Sequence, residues 1–167
     1  IGEGDEVILP DFSFMASASS IMFAGAKPIF VDVRETDLNV NPELIEAKIT
    51  KKTKAIMPVH IYGQCADMNP IMDIANRYNL SVIEDAAQVL GVYYCGKDNC
   101  DCCRLDTECS NRRHAGTIGD VGVFSFYADK TITTGEGGAI LTNNDKIAER
   151  LSYLRNQGRL NAGTFYH

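Results

Sequence analysis

Short apolar runs alternate with stretches of helical spacing along most of the chain. Glu6-Val7-Ile8-Leu9 reads as a strand halted at Pro10, and 13–24 as a helix of small residues with Ser13 or a neighbour as its N-cap. Lys27-Pro28-Ile29-Phe30-Val31-Asp32 predicts a second strand. Asn41-Pro42-Glu43-Leu44 sets a polar cap before a proline in the first turn, which predicts a helix to about Ile49. A buried strand at 55–59 follows. Met68, Ile71, Met72 and Ala75 recur at helical spacing within 67–78, and 81–84 is then a strand ending at Asp85. Strands at 121–124 and 139–142 come next. Ile147, Leu151 and Leu154 predict an amphipathic helix from Asn144 to about Asn156. This alternation implies βαβ units and an α/β fold with a mostly parallel sheet.

Composition narrows the picture. The 167 residues suffice for one domain with a real core, and 45% hydrophobic residues with 23% charged ones fit an ordinary globular protein. A formal charge of −6 argues against non-specific nucleic-acid binding, which needs a basic patch. No apolar run approaches the ~20 residues of a membrane span. The opening Ile1-Gly2-Glu3-Gly4-Asp5 is no signal peptide, so a cytoplasmic location is expected. The first residue is not methionine, so the chain is expected to be a piece of something longer.

The pattern breaks once, at 93–114, which is polar and cysteine-rich. Five of the six cysteines fall here: Cys95, Cys100, Cys102, Cys103 and Cys109. Without a secretion signal, metal binding or free thiols are favoured over a disulfide framework. With His114 these residues outnumber the four ligands of a tetrahedral structural zinc ion. Their spacing lacks paired C-x-x-C knuckles, so a reduced, metal-free loop is the equal alternative.

The chemistry sits at predicted strand ends. Ligands of open α/β sheets gather at the carboxyl ends of parallel strands, and 10–14, 60–64, 85–88 and 125–130 all follow predicted strands. Lys130 lies between an apolar strand and the turn Gly135-Glu136-Gly137-Gly138, where positive φ at glycine lets the loop fold tightly. Asp85 ends the strand Val82-Ile83-Glu84; its alternative role is a helix N-cap. A lysine with a strand-end aspartate is the pair a pyridoxal phosphate enzyme requires, one for the aldehyde and one to keep the ring nitrogen protonated.

Phe124-Ser125-Phe126-Tyr127-Ala128-Asp129-Lys130, the glycine turn, and Glu84-Asp85-Ala86-Ala87-Gln88 together resemble the DegT/DnrJ/StrS family of sugar-nucleotide aminotransferases. The resemblance implies a three-layer α/β sandwich, part of the large domain of a fold type I pyridoxal phosphate enzyme, spanning 1–167 with a cysteine-rich insertion at 95–114. It implies Lys130 and Asp85 as catalytic residues. Gln88 would bond the ring hydroxyl, Ser125 the phosphate, and Phe14 would stack on the ring. His60 and Tyr62 match a segment near the active site and are expected to hydrogen-bond structurally. Lysine at 130, where related dehydratases carry histidine, favours transamination. The implied reaction moves an amino group, from glutamate, to a nucleotide-linked 4-keto-6-deoxy sugar for cell-surface polysaccharide or antibiotic sugars. Lys130-Thr131-Ile132-Thr133-Thr134-Gly135 looks most like the perosamine-synthase branch, and a homodimer is the implied assembly. A sugar dehydratase and a non-catalytic, zinc-stabilised interaction module are the alternatives.

Overall fold

Six of the strands assemble into one sheet in the computed structural model, which describes residues 1–96 and 112–156. The elements are β1 (Glu6–Pro10), α1 (Met15–Phe23), β2 (Lys27–Val31), α2 (Pro42–Ile45) with a 3-10 turn at Glu46–Lys48, β3 (Thr53–Ile56), α3 (Met68–Tyr78), β4 (Ser81–Asp85), β5 (Tyr93–Tyr94), β6 (Arg113–His114), β7 (Val121–Ser125), β8 (Gly138–Leu141) and α4 (Asp145–Arg155). The sheet order is β2-β1-β3-β4-β7-β8. Every neighbouring pair is parallel except β7 and β8, so the fold is the mostly parallel α/β sheet the alternation implies.

Period-two alternation divides the strands between two cores. Val7, Leu9, Ala55 and Met57 pack with Ile21 of α1 on one face. Ile8, Ile56 and Val82 pack with Ile45, Met68, Ile71 and Ile74 of α2 and α3 on the other. Burying side chains of this size stabilises by about 1.5–3 kcal/mol each, so the central strands, covered on both sides, hold the sheet. The result is three layers.

Local chemistry sets the element ends. Asn41 caps α2 by accepting from the Glu43 N–H at 3.1 Å, with Pro42 in the first turn. α3 ends on Asn79 in the left-handed conformation (φ 52°), with the Leu80 N–H returning to the Ala75 carbonyl at 2.9 Å. The N-cap of α1 is Phe14, next to Ser13, and no side chain caps that end. One expectation is corrected. β3 stops at Ile56 instead of continuing to Val59, because Pro58 has no N–H for the ladder; Val59 makes only an isolated bridge to Asp85.

The cysteine-rich stretch leaves and re-enters the fold through a feature the pattern did not announce. β5 and β6 pair antiparallel, Tyr93 opposite His114 and Tyr94 opposite Arg113. Tyr94 ties this hairpin to α3, donating to Asp67 Oδ1 at 2.6 Å and accepting from the Asn69 N–H at 2.9 Å. Burial and the Asp67 bond push its phenol well above the ordinary tyrosine range. Cys100, Cys102, Cys103 and Cys109 lie outside the described residues.

The chain then crosses Gly122 of β7. A methyl group there would overlap the Gly116 carbonyl oxygen, so the 115–119 loop and β7 touch backbone to backbone. Gly122→Ala is expected to destabilise by about 1–3 kcal/mol through overpacking. An unchanged urea midpoint would contradict that close approach.

Candidate active site

The parallel pairing brings the carboxyl ends of β1, β3, β4 and β7 to one edge of the sheet. Asp85 is in register with Val123, two residues before Ser125. The segments after these strands, which carry Phe14, His60, Gln88 and Lys130, therefore start from the same edge.

Asp85 is held on every side. Its N–H bonds the Pro58 carbonyl at 2.9 Å, and its carbonyl accepts from the His60 N–H at 3.0 Å. Its carboxylate accepts from Ser17 Oγ at 2.6 Å on Oδ2 and from the Ala87 N–H at 3.2 Å on Oδ1. The Ala87 bond closes an Asx turn. Turns rather than a helix follow, so Asp85 caps no helix.

Gln88 accepts the Tyr62 N–H on Oε1 at 2.8 Å. That bond fixes the amide so that its NH2 group is the end left to donate. Tyr62 itself adopts φ 51°, and its ring meets Phe12 edge-on at 6.0 Å between centroids. Phe14 is 76% exposed. An aromatic with its face open at a strand-end edge is available to stack, which a core phenylalanine is not.

Lys130 lies in the loop that joins the antiparallel pair β7 and β8. Ser125 stands opposite Gly138 where that loop begins and ends. Ser125 Oγ accepts the Tyr127 N–H at 3.3 Å, leaving its own hydrogen to donate. The loop is stitched by its threonines. The Phe126 carbonyl takes both the Thr134 N–H and the Thr133 hydroxyl at 3.0 Å, and the Gly135 N–H bonds Thr133 Oγ1 at 2.9 Å. Gly135, at φ 81°, makes the turn that a residue with a side chain would strain. Lys130 Nζ lies 3.6 Å from Asp129 Oδ1, its side chain 21% exposed.

Beneath this edge lies a buried group that residue-by-residue reading passed over. Glu84 is fully buried, and its two oxygens take four donors. Oε1 accepts from the N–H groups of Ile118 and Gly119 at 2.6 Å each. Oε2 accepts from the Gly116 N–H at 2.7 Å and from His60 Nε2 at 2.9 Å. His60 Nδ1 accepts the Ala66 N–H at 3.1 Å, so the ring hydrogen belongs on Nε2 and is donated to Glu84. Burial raises the Glu84 pKa, but the bonds from His60, Gly119 and Gly116 outweigh it and hold the carboxyl below its usual 4.5. The signal in the sequence was the alternation itself: Glu84 shares a face with Val82, and that face is buried. His60 thus hydrogen-bonds structurally, as expected.

His114 uses both ring nitrogens within the protein: Nε2 accepts the Gly91 N–H at 2.9 Å and Nδ1 faces the Ala115 carbonyl. Neither is left for a metal. Among the described residues, which include Cys95, no group of three or more His, Cys, Asp or Glu is arranged to hold a metal ion. No helix among them is long and apolar enough to cross a membrane.

Known proteins match throughout. The sequence model of the DegT/DnrJ/EryC1/StrS aminotransferase family covers residues 1–167. GDP-perosamine synthase of Caulobacter vibrioides is 47% identical over 158 residues, 95% of this chain and 38% of its own. DesV of S. venezuelae, solved in complex with a ketimine intermediate, superposes with TM-score 0.84 at 37% identity, covering 100% of this chain and 41% of that one. NtdA of Bacillus subtilis, solved with bound cofactor PMP, superposes with TM-score 0.75 at 37% identity, covering 92% and 32%. The chain spans about two fifths of the length of the curated relatives it matches.

Proposed function

The chain belongs to the DegT/DnrJ/EryC1/StrS aminotransferase family, a family of pyridoxal phosphate enzymes, and from that premise we propose that the protein carrying it aminates a nucleotide-linked 4-keto-6-deoxy sugar. The amino donor in this reading is glutamate, the location cytoplasmic, and the product a precursor of cell-surface polysaccharide or antibiotic sugars. Similarity to a GDP-perosamine synthase supports the substrate class. The open apolar face that Met22 and Phe23 leave on α1 supports association into a homodimer.

The observation that carries the proposal is the donor set at the sheet edge. Asp85 offers a carboxylate whose orientation two donors already fix. Gln88 offers an amide NH2, its carbonyl end being occupied by Tyr62. Ser125 offers a hydroxyl hydrogen, Lys130 a primary amine, and Phe14 an open aromatic face. Ring nitrogen, ring oxygen, phosphate, aldehyde and ring face of pyridoxal phosphate each find one complementary group. The residues fit the cofactor.

When bound, pyridoxal phosphate supplies an aldehyde that takes up the amino group and a ring that delocalises the electron pair released at carbon. Lys130 would hold the cofactor's aldehyde through its amine, and the same Nζ, when free, would carry the proton that the exchange requires. Asp85 keeps the ring nitrogen protonated throughout. Gln88 and Ser125 orient the ring by its oxygen and its phosphate, and Phe14 covers one face.

The test supplies a polypeptide of the relatives' length that carries this chain with the cofactor, glutamate and a nucleotide-linked 4-keto-6-deoxy sugar. Expected is 2-oxoglutarate formed one-to-one with an amino sugar. Loss of a sugar hydroxyl without nitrogen incorporation would instead identify a dehydratase, and either that outcome or the absence of both products would overturn the proposal.

A further inference from the structure

Ser17 is the one polar residue that α1 buries, at 4% exposure. A serine inside a helix commonly returns its hydroxyl to a carbonyl about one turn back. Ser19 and Ser20 do so, to the Ala16 and Ser17 carbonyls at 3.3 and 2.8 Å. Ser17 does not. Its hydroxyl leaves the helix and donates to Asp85 Oδ2 at 2.6 Å, across 68 positions of sequence. With Oδ1 held by the Ala87 N–H at 3.2 Å, each carboxylate oxygen has one protein donor.

We propose that Ser17 is a positioning residue that aims the Asp85 carboxylate at the ring nitrogen of pyridoxal phosphate. The inference rests on the pyridoxal phosphate reading of Asp85. The terminal torsion of an aspartate is broad and roughly two-fold, so one backbone bond alone leaves the carboxylate plane free to swing. The Ser17 bond removes that freedom and leaves a lone pair on each oxygen for an N–H partner. It also places the carboxylate beside the first turn of α1, where the helix dipole favours negative charge. Phe14 immediately precedes that same turn. One short helix thereby sets both the group that meets the ring nitrogen and the aromatic that meets the ring face.

The experiment compares Ser17→Ala, Ser17→Cys and Ser17→Thr with Ser20→Ala as control, in a polypeptide of the relatives' length. It reads the pyridoxal phosphate dissociation constant by absorbance titration and the pH dependence of the bound cofactor's absorbance. Ser17→Ala is expected to weaken binding about tenfold, the scale of one hydrogen bond to a charged group, and to displace the pH midpoint. Ser17→Thr restores both to within about twofold, since it keeps the donor, and Ser20→Ala changes neither. If Ser17→Ala does not fold, the near-isosteric Ser17→Cys, a weaker donor, carries the same comparison against Ser17→Thr. A folded Ser17→Ala or Ser17→Cys with unaltered affinity and pH profile overturns the assignment, as does a loss that threonine leaves unrestored. Failure of the unsubstituted protein to take up the cofactor overturns the site reading itself, and the role of Ser17 with it.

Discussion

Lys130→Ala is expected to erase the visible absorbance that pyridoxal phosphate gives when joined to the protein, and to cut amino transfer by at least about 10²–10⁴-fold from lost proton transfer alone. Two jobs disappear together, because the same amine holds the aldehyde and later moves the proton. The fold should not notice. Among the described residues Lys130 pairs with Asp129 alone, whose side chain is 71% exposed, and pairs of that kind contribute about 0–1 kcal/mol. The loop keeps its shape through Thr133, Thr134 and the Phe126 carbonyl. Lys130→Arg separates charge from nucleophilicity: it preserves the cation facing Asp129, but a guanidinium does not lose its proton. The arginine variant is therefore expected to be as inactive as the alanine one. Absorbance in Lys130→Ala equal to that of the unsubstituted protein would remove Lys130 from the mechanism.

Glu84 carries the largest expected effect on stability. Glu84→Ala strands the buried Gly116 and Ile118 N–H groups, the half-buried Gly119 N–H and the His60 Nε2–H, and should cost several kcal/mol, since each buried donor left unpaired costs about 1–3 kcal/mol. Glu84→Gln keeps the volume but turns an NH2 group toward donors, so it too should be severely destabilising. The pH dependence has a definite sign. The folded carboxyl lies below its usual 4.5, so its contribution is fully present above that value and is lost as pH falls through the folded pKa. Urea denaturation at a series of pH values should show stability falling below about pH 4.5, with a flatter profile in Glu84→Gln. Parallel profiles for the two proteins would rule out the buried carboxylate as the source. His60→Ala removes one donor of four and should cost less than Glu84→Ala.

Much of this was legible in the chain because it depends on local spacing. Alternating apolar runs fixed the strands, and Asn41-Pro42 and the 67–78 periodicity fixed two helices. Lys130 and Asp85 announced themselves by standing at strand ends. What escaped reading depends on contacts between distant residues or on elements too short to carry a period. The two-residue strands of the β5–β6 hairpin have no alternation to detect. Nothing in the sequence near Ser17 points to a partner at Asp85. The antiparallel direction of β8 follows from a loop that turns back on itself, where a crossover helix would have returned the strand parallel. Glu84 is the intermediate case: its position on the buried face of β4 could be read from the alternation, but its donors could not.

The β5–β6 hairpin gives the fold a port. Tyr94 and Arg113 are paired neighbours, so the chain departs and returns one strand spacing apart. The entropy of closing the loop between them grows slowly with its length, by about 0.6 kcal/mol per doubling. On the return side, the Glu84 bonds to Gly116, Ile118 and Gly119 fasten the chain before it reaches β7. A change in length between these two strands therefore carries a small entropic cost at this junction. An engineer can use the same junction to graft a foreign peptide.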